Sequence, residues 1–144
     1  MPNYQVLQPE YNLYDRQGFE QNLKQICLDH DIGVVSYYSL ASGFLSGKYR
    51  DLEQVRGSKR ADSLSKYFTA RGERILNALD LVAEHHNAKP ADVALAWVLT
   101  REGITAPIAS ATTVEQIESF SKALALKLTT GDLRILEVDS RWSN

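Results

Sequence analysis

Apolar and polar residues are arranged in blocks along this chain, and three blocks have the features of β-strands. Residues 4–8 form a short strand candidate that ends at Pro9, because proline cannot donate to a sheet ladder. Residues 32–38 form a β-branched run without alternation, which is typical of a strand covered on both faces in a parallel sheet. Residues 106–109 are a third, brief candidate. The pattern therefore predicts three strands and favours parallel pairing.

Helical spacing of apolar residues marks the segments between these strands. Residues 18–30 carry one apolar stripe that includes Ile26 and Cys27, so we expect one helix with a buried stripe and an inert, buried thiol. A second stripe occupies residues 75–86, and another helix begins at Pro90, since proline is tolerated at a first helical position. We expect these last two helices to form one covering layer.

Two more helices are predicted near the carboxyl terminus. Thr112 or Thr113 is followed three residues later by Glu115 or Gln116, which is the spacing of a capping box at a helix start. A last helix is expected over residues 131–141.

Residues 41–69 contain many charges and no clear period, so we expect one long connecting loop there. The remaining strands and helices alternate, which predicts an α/β fold. A parallel series of this kind either closes into an eight-stranded barrel or forms an open doubly wound sheet, and three strands complete neither. In both architectures, ligands bind at the carboxyl ends of the strands.

The composition is that of an ordinary soluble globular chain, with 144 residues, 44% hydrophobic and 24% charged. A net charge of −2 gives no general attraction to nucleic acid or anionic membrane. The apolar runs are much shorter than the roughly 18 residues of a membrane span. The single cysteine cannot form an internal disulfide, and the first residues lack the features of a signal peptide. We therefore expect no nucleic-acid partner, no membrane attachment and a cytoplasmic location.

Three segments have the chemistry of anion sites. Residues 43–48 combine small residues with a terminal lysine, although the glycine spacing and the following Tyr49 do not match a nucleoside-triphosphate P-loop. Residues 110–113 form a strand-to-helix turn with free amide groups, and residues 56–60 contain three cations. Taken alone, each segment is better explained without a ligand: as a glycine-rich turn with a solvated lysine, a simple helix cap and a solvated loop, respectively.

Aromatic and histidine side chains give two further expectations. Tyr37 and Tyr38 end the second strand, where a flat ring can stack on a planar ligand, and core packing is the alternative. His30, His85 and His86 form no metal-ligand array, because adjacent His85 and His86 diverge on a helix. We expect all three histidines to be structural or solvated.

Residues 8–13 (QPEYNL) and 33–49 (GVVSYYSLASGFLSGKY) closely resemble the aldo/keto reductases, in the branch that includes bacterial reductases and potassium-channel β subunits. The resemblance continues through residues 89–98 and 110–117, so it covers nearly the whole chain in collinear order. It implies that residues 1–144 are the carboxyl-terminal portion of a (β/α)8 TIM barrel, with about three of the eight strands and their covering helices. The amino-terminal half of the barrel is then absent from this chain.

The resemblance also implies NADP as cofactor, bound in an extended pose at the carboxyl ends of the strands. By resemblance, Gln8 hydrogen-bonds the nicotinamide carboxamide and Tyr37 stacks on the nicotinamide ring. The phosphate-binding residues implied in the same way are Tyr38, Ser39, Leu40, Ala41, Lys48 and Arg60. Those implied at the adenosine 2′-phosphate end are Ser110, Thr112 and Gln116.

Several positions depart from the usual family pattern. Tyr38 replaces a common serine, so it must approach the pyrophosphate with its backbone or its phenol. Ser119 and Phe120 replace Glu-Asn, which removes two polar contacts to adenine.

In the family, a tyrosine general acid, tuned by a lysine and an aspartate and helped by a histidine, protonates a small carbonyl substrate during hydride transfer. All four belong to the first half of the barrel, so the resemblance implies no catalytic residue within residues 1–144. We expect an NADP-dependent oxidoreductase of aldehydes or ketones whose isolated carboxyl-terminal part is inactive. The alternative is a non-catalytic nucleotide-binding or regulatory module derived from the same barrel. Unpaired sheet edges predict self-association or pairing with a complementary barrel half.

Overall fold

The computed structural model describes residues 3–58 and 61–142, and it has an α/β fold built on a three-stranded parallel sheet. The strands are β1 (Val6–Leu7), β2 (Gly33–Ser36) and β3 (Ala106–Pro107), in the order β1-β2-β3. Leu7 lies opposite Val34, and Val35 lies opposite Ala106. The predicted α/β class with parallel strands is confirmed, and the arrangement is consistent with part of a barrel.

Seven α-helices of the described residues cover this sheet. They are α1 (Gln17–Asn22), α2 (Lys24–Asp29), α3 (Ala61–Ser65), α4 (Ala70–His85), α5 (Pro90–Leu99), α6 (Val114–Ala125) and α7 (Thr130–Asp139). Threonine side chains begin three of them by accepting a backbone amide three residues later: Thr69 for α4, Thr113 for α6 and Thr129 for α7. The four helices predicted from residue 75 onward correspond to α4, α5, α6 and α7. Their ends agree with the predictions to within one helical turn, except that α4 begins at Ala70 rather than at residue 75.

The single helix predicted over residues 18–30 is wrong in two respects. The segment forms α1 and α2, which are separated at Leu23. Phe19 and Cys27 are buried as the apolar stripe requires, but Ile26 is 51% exposed. Leu23 interrupts the helix with φ −115°, so a periodicity counted through that point places Ile26 on the wrong face.

The β2–α4 connection, residues 41–69, is not the unstructured loop that we predicted. It contains two 3₁₀ turns, Ala41–Ser46 and Glu53–Val55, as well as α3. Most of its apolar residues are buried, although Leu52 is exposed, and Phe44 stacks on Tyr67 with ring centroids 5.2 Å apart. Helices this short show no periodicity, so the pattern could not reveal a segment that is held by its own buried side chains.

The core lies between the sheet and a layer of helices. Residues 92–98 of α5 are all buried, because α5 packs against α4, α6 and the first 3₁₀ turn. α4 also contacts α7. The predicted layer of α4 and α5 is therefore confirmed. None of the helices in residues 3–58 and 61–142 is long and apolar enough to span a bilayer.

Candidate functional site

The three strands leave the sheet side by side at their carboxyl ends. The Tyr37 amide donates to the Pro9 carbonyl over 2.9 Å, and the Ile108 amide donates to the Ser36 carbonyl over 2.7 Å. A bridge between Glu10 and Tyr37 continues the pairing of β1 and β2. The segments that follow β1, β2 and β3 therefore share one edge, which is the edge where ligands bind in parallel α/β folds.

Tyr37 and Tyr38 form an exposed aromatic pair at this edge. Their rings meet edge to face with centroids 5.2 Å apart, and the residues are 37% and 56% exposed. Core packing, the alternative reading of these tyrosines, is therefore wrong. Gln8, directly after β1, is also exposed.

The turn after Tyr38 has an unusual backbone. Tyr38, Ala41 and Ser42 have φ angles of 52°, 50° and 57°, in the left-handed region that side chains other than glycine rarely adopt. Ser39 is buried and donates to the Ser36 carbonyl over 3.2 Å. Ala41 is fully buried and Leu40 is half-buried. Such backbone strain clusters at binding sites and persists only where the surroundings fix it.

Lys48 lies farther along the β2–α4 connection. It is exposed, and its Nζ lies 5.2 Å from the centroid of the Tyr49 ring. Arg60, the other cation that the resemblance assigns to phosphate, lies outside the described residues. The cofactor roles of Gln8 and Lys48 stay predictions.

The β3 side of the edge brings Thr112 and Gln116 together. The Thr112 amide donates to Gln116 Oε1 over 2.6 Å, while Thr113 accepts the Gln116 amide and caps α6. The predicted cap is confirmed, but the Gln116 side chain reaches Thr112 rather than the cap residue. Ser110, Thr112 and Gln116 are all exposed. They lie on the same strand edge as Tyr37, after β3 rather than β2.

The position that departs from the family pattern at Ser119 faces the protein interior. Ser119 is buried, and its hydroxyl donates to the buried Asp92 carboxylate of α5. Phe120 is half-buried. Ser119 therefore fastens α6 to α5.

A polar cluster that sequence reasoning missed lies next to the aromatic pair. Lys66 Nζ is 3.4 Å from both Glu10 Oε1 and Asp15 Oδ2, and the Tyr67 hydroxyl donates to Asp15 over 2.8 Å. Burial and the nearby Asp15 raise the pKa of Glu10. Burial lowers the pKa of Lys66, but the two carboxylates outweigh it and hold that pKa above its usual range. No local spacing signals these contacts, because they join residues about 50 positions apart.

A cleft of about 470 Å³ lies beside this cluster. Its lining includes Glu10, Tyr14, Asp15, Arg71 and Trp142. None of the predicted cofactor residues that the structure describes lines it. The Arg71 guanidinium donates to the carbonyls of Tyr14 and Ser140. It therefore links the carboxyl end of α7 to the segment before α1.

The expectation that His85 and His86 diverge is wrong. His85 Nδ1 lies 3.3 Å from Asp132 Oδ1, and His86 Nε2 lies 2.7 Å from Asp132 Oδ2. His86 is the cap residue directly after α4. Neighbours inside a helix point about 100° apart, but His86 has left the helix, so its side chain can turn toward the same carboxylate as His85. The described part of the chain contains no group of three or more His, Cys, Asp or Glu side chains that could hold a metal ion.

The fold and this edge define a class of α/β protein that binds ligands at the carboxyl ends of parallel strands. The family model described as "Aldo/keto reductase family" matches residues 2–138. The chain therefore belongs to the aldo/keto reductase family, a family of carbonyl-reducing oxidoreductases, and the resemblance seen in its motifs is confirmed.

Individual relatives agree with this assignment. The chain is 35% identical over 130 residues to the uncharacterized oxidoreductase YrpG of Bacillus subtilis and 30% identical over 132 residues to the probable aldo-keto reductase 1 of Glycine max. Each of these matches covers 90% of the chain. It is 31% identical over 129 residues, or 83% of the chain, to a probable voltage-gated potassium channel subunit beta of Oryza sativa. The chain spans 38% of the length of each of these three curated relatives.

Proposed function

We propose that this chain supplies the NADP-binding part of an aldo/keto reductase that reduces aldehydes or ketones. The observation that supports this most is the exposed Tyr37–Tyr38 pair at the carboxyl edge of a parallel sheet, inside a chain that belongs to this family. An aromatic pair left in solvent beside a strained turn gains little from folding, so a planar ligand is the natural use for it.

The residues at this edge fit a nicotinamide dinucleotide. Tyr37 offers an exposed ring for a planar nicotinamide, and Gln8 offers an amide that can both donate and accept. Lys48 offers an exposed positive charge for the phosphates. When bound, NADPH supplies the hydride, and this chain's own residues bind and orient it.

The adenosine end of the cofactor is proposed to lie at Ser110, Thr112 and Gln116. Amide groups at the start of a 12-residue helix favour a phosphate there. The Thr112 amide already donates to Gln116 Oε1. This hydrogen bond must therefore break before the Thr112 amide can bind a phosphate.

The proton donor of the reaction is proposed to lie outside residues 1–144. Tyr67 has a lysine and an aspartate beside it, but it is fully buried. Burial and the hydrogen bond to Asp15 raise its pKa far above the usual range, which is the opposite of what a general acid needs. We therefore propose that the 144-residue chain alone does not reduce carbonyl compounds.

A second candidate is a non-catalytic nucleotide-binding or regulatory module. The relative named as a potassium channel subunit beta in Oryza sativa favours this reading, because it matches the chain about as well as the reductases do. In either case we propose a cytoplasmic protein that associates with a second copy or with a complementary barrel half through the edges of β1 and β3. Val6 of β1 is exposed, which supports an incomplete sheet, because parallel strands are ordinarily covered on both faces.

A fluorescence titration with NADPH tests the proposal. The 144-residue chain should bind NADPH saturably, should bind NADH more weakly, and should not oxidise NADPH when aldehyde is added. Turnover by the purified chain would overthrow the assignment of the proton donor to another part of the protein. Absence of saturable binding would count against the cofactor site itself, and equal affinity for both dinucleotides would count against NADP preference.

A further inference from the structure

Asn12 is a fully buried polar residue in the segment that follows β1. Its Oδ1 accepts the backbone amides of Tyr14 and Asp15, each over 2.8 Å. Its Nδ2 donates to the Tyr38 carbonyl over 3.0 Å and to Asp15 Oδ2 over 3.3 Å. The side chain is therefore saturated, and one of its bonds crosses from the end of β1 to the end of β2.

Asn12 holds the carbonyl of Tyr38, a residue with strained backbone angles. Tyr38 has a φ of 52°, and its carbonyl also accepts the Ala41 amide over 2.7 Å. Ala41 and Ser42 are left-handed as well. Each such residue is destabilising and relaxes unless neighbouring groups hold it. Asn12 is the side chain that reaches this carbonyl from a different strand.

The same hydrogen-bond network holds the far end of the β2–α4 connection. Asp15 Oδ2, which Asn12 contacts, also accepts the Tyr67 hydroxyl over 2.8 Å and lies 3.4 Å from Lys66 Nζ. Asn12 and Asp15 thus link Tyr38, just before the connection, to the far end of the connection at Lys66 and Tyr67. A shift of either end must break bonds in the network.

We propose that Asn12 is a positioning residue that fixes the orientation of the Tyr37–Tyr38 pair. It acts by holding the Tyr38 carbonyl, and with Asp15 it keeps the β2–α4 connection in register with that turn. This inference rests on the proposed function, because the pair is positioned for the planar ring of a nicotinamide dinucleotide. A merely structural Asn12 would affect stability without any specific effect through Tyr37.

The test uses Asn12→Ser in the 144-residue chain. A serine hydroxyl can still accept the amides two and three residues later, but it is too short to reach the Tyr38 carbonyl. The matched control is Thr129→Ala, which removes a cap hydrogen bond at the start of α7. Both variants are measured at a temperature where circular dichroism shows them fully folded. If Asn12→Ser does not fold, Asn12→Thr replaces it, since a threonine hydroxyl keeps the acceptor, fills more of the space and is also too short to reach the Tyr38 carbonyl.

Two readouts decide the proposal. Amide hydrogen exchange of Ala41, followed by NMR, should accelerate about tenfold or more in Asn12→Ser and stay unchanged in Thr129→Ala. The Kd for NADPH should rise about five- to tenfold in Asn12→Ser, and by less than about twofold when the same change is made in a Tyr37→Ala background. Loss of the Asn12 effect in that background shows that it acts through Tyr37.

The opposite results are equally clear. Unchanged exchange at Ala41 overturns the positioning role, whatever happens to the nucleotide. An undiminished Asn12 effect on Kd in the Tyr37→Ala background makes Asn12 a structural residue only. If no variant and no wild-type chain binds NADPH, the proposed function fails, and the exchange readout alone decides whether Asn12 fixes the turn.

Discussion

Arg16 and Lys48 show how differently two cations of this chain are used. The Arg16 side chain is 1% exposed, donates to Glu20, Glu137 and Ser140, and lies over the Trp97 ring at 5.0 Å. Burial lowers the pKa of Arg16, but these carboxylates outweigh it and raise that pKa. Lys48 is exposed on the β2–α4 connection. Arg16 is therefore committed to joining α1 with α7, whereas Lys48 is available to a ligand.

Replacing Lys48 should weaken dinucleotide binding without loss of stability. Lys48→Ala is expected to raise the Kd for NADPH about three- to tenfold at low salt, and less at high salt, because ions screen an exposed charge. Fluorescence titration at two ionic strengths measures this. Lys127→Ala, which removes the same charge from the exposed link between α6 and α7, is the control. Equal losses in both variants would show that only net charge matters.

Sequence patterns located the exposed residues of the candidate site better than the buried ones. Tyr37 and Tyr38 follow a strand directly, so their place at its carboxyl end could be predicted. The buried support of that edge could not, because Asn12 meets Tyr38 across 26 positions and Lys66 meets Asp15 across 51. Such contacts depend on the three-dimensional path of the chain and leave no periodic trace in the sequence.

At the level of secondary-structure elements, length decided what could be predicted. α4 repeats its apolar stripe over 16 residues, which is enough to establish a period, and Pro90 marks the start of the 10-residue α5. The turns of the β2–α4 connection span 6 and 3 residues, so they have no measurable period although their apolar side chains are buried. The many charged residues of that segment therefore led to the prediction of a loop, although the segment is packed.

Gly72 should be essential for packing the β2–α4 connection on α4. A Cβ at this position would collide with the Tyr67 carbonyl and lie 3.0 Å from the Phe44 ring. Gly72→Ala is expected to lower the free energy of unfolding by about 1–3 kcal/mol, as overpacking does. Gly18→Ala in α1 is the matched control, because no heavy atom of the described residues lies within 4 Å of its added Cβ. Thermal unfolding of both variants checks this, and equal midpoints would refute the packing.

The docking of α7 on α4 should depend on pH. Burial raises the pKa of Asp132, but hydrogen bonds from His86, Thr129 and His85 outweigh it, so the folded-state pKa is well below the usual value. A lowered carboxyl pKa stabilises the fold above the unfolded-state value of about 4, and this stabilisation is lost as the pH falls below it. Asp132→Asn should cost about 1–2 kcal/mol at neutral pH and progressively less in acid.

Denaturant unfolding between neutral pH and about pH 3 measures the Asp132 effect. The difference between wild type and Asp132→Asn should shrink as the pH falls. Asp62→Asn, at an exposed position of α3, serves as the control and should show a small difference throughout. A difference for Asp132 that does not vary with pH would contradict the assigned origin of the shift.

At the level of the whole molecule, the sheet is the unfinished part. Among the described residues, β1 and β3 each have one neighbouring strand, whereas β2 has two. Three apolar side chains of α6 are also exposed: Val114, Ile117 and Leu124. The chain also spans 38% of the length of the curated relatives described above. Parallel strands of this kind are ordinarily buried on both sides.

Self-association is the expected consequence of these edges. Sedimentation velocity of the 144-residue chain should show concentration-dependent species larger than a monomer. Val6→Lys, at an exposed position of β1, should shift the population toward monomer, because a charge on an edge strand opposes strand pairing. A compact, monodisperse monomer with cooperative unfolding at all concentrations would contradict this expectation.

We propose that one dinucleotide binds across the segments that follow β2 and β3. Hydrogen exchange followed by mass spectrometry, with and without saturating NADP, measures this. Binding should slow exchange in residues 37–48 and in residues 110–116 together, with no change in α7. Protection confined to one of these segments, or located in α7, would refute a shared site.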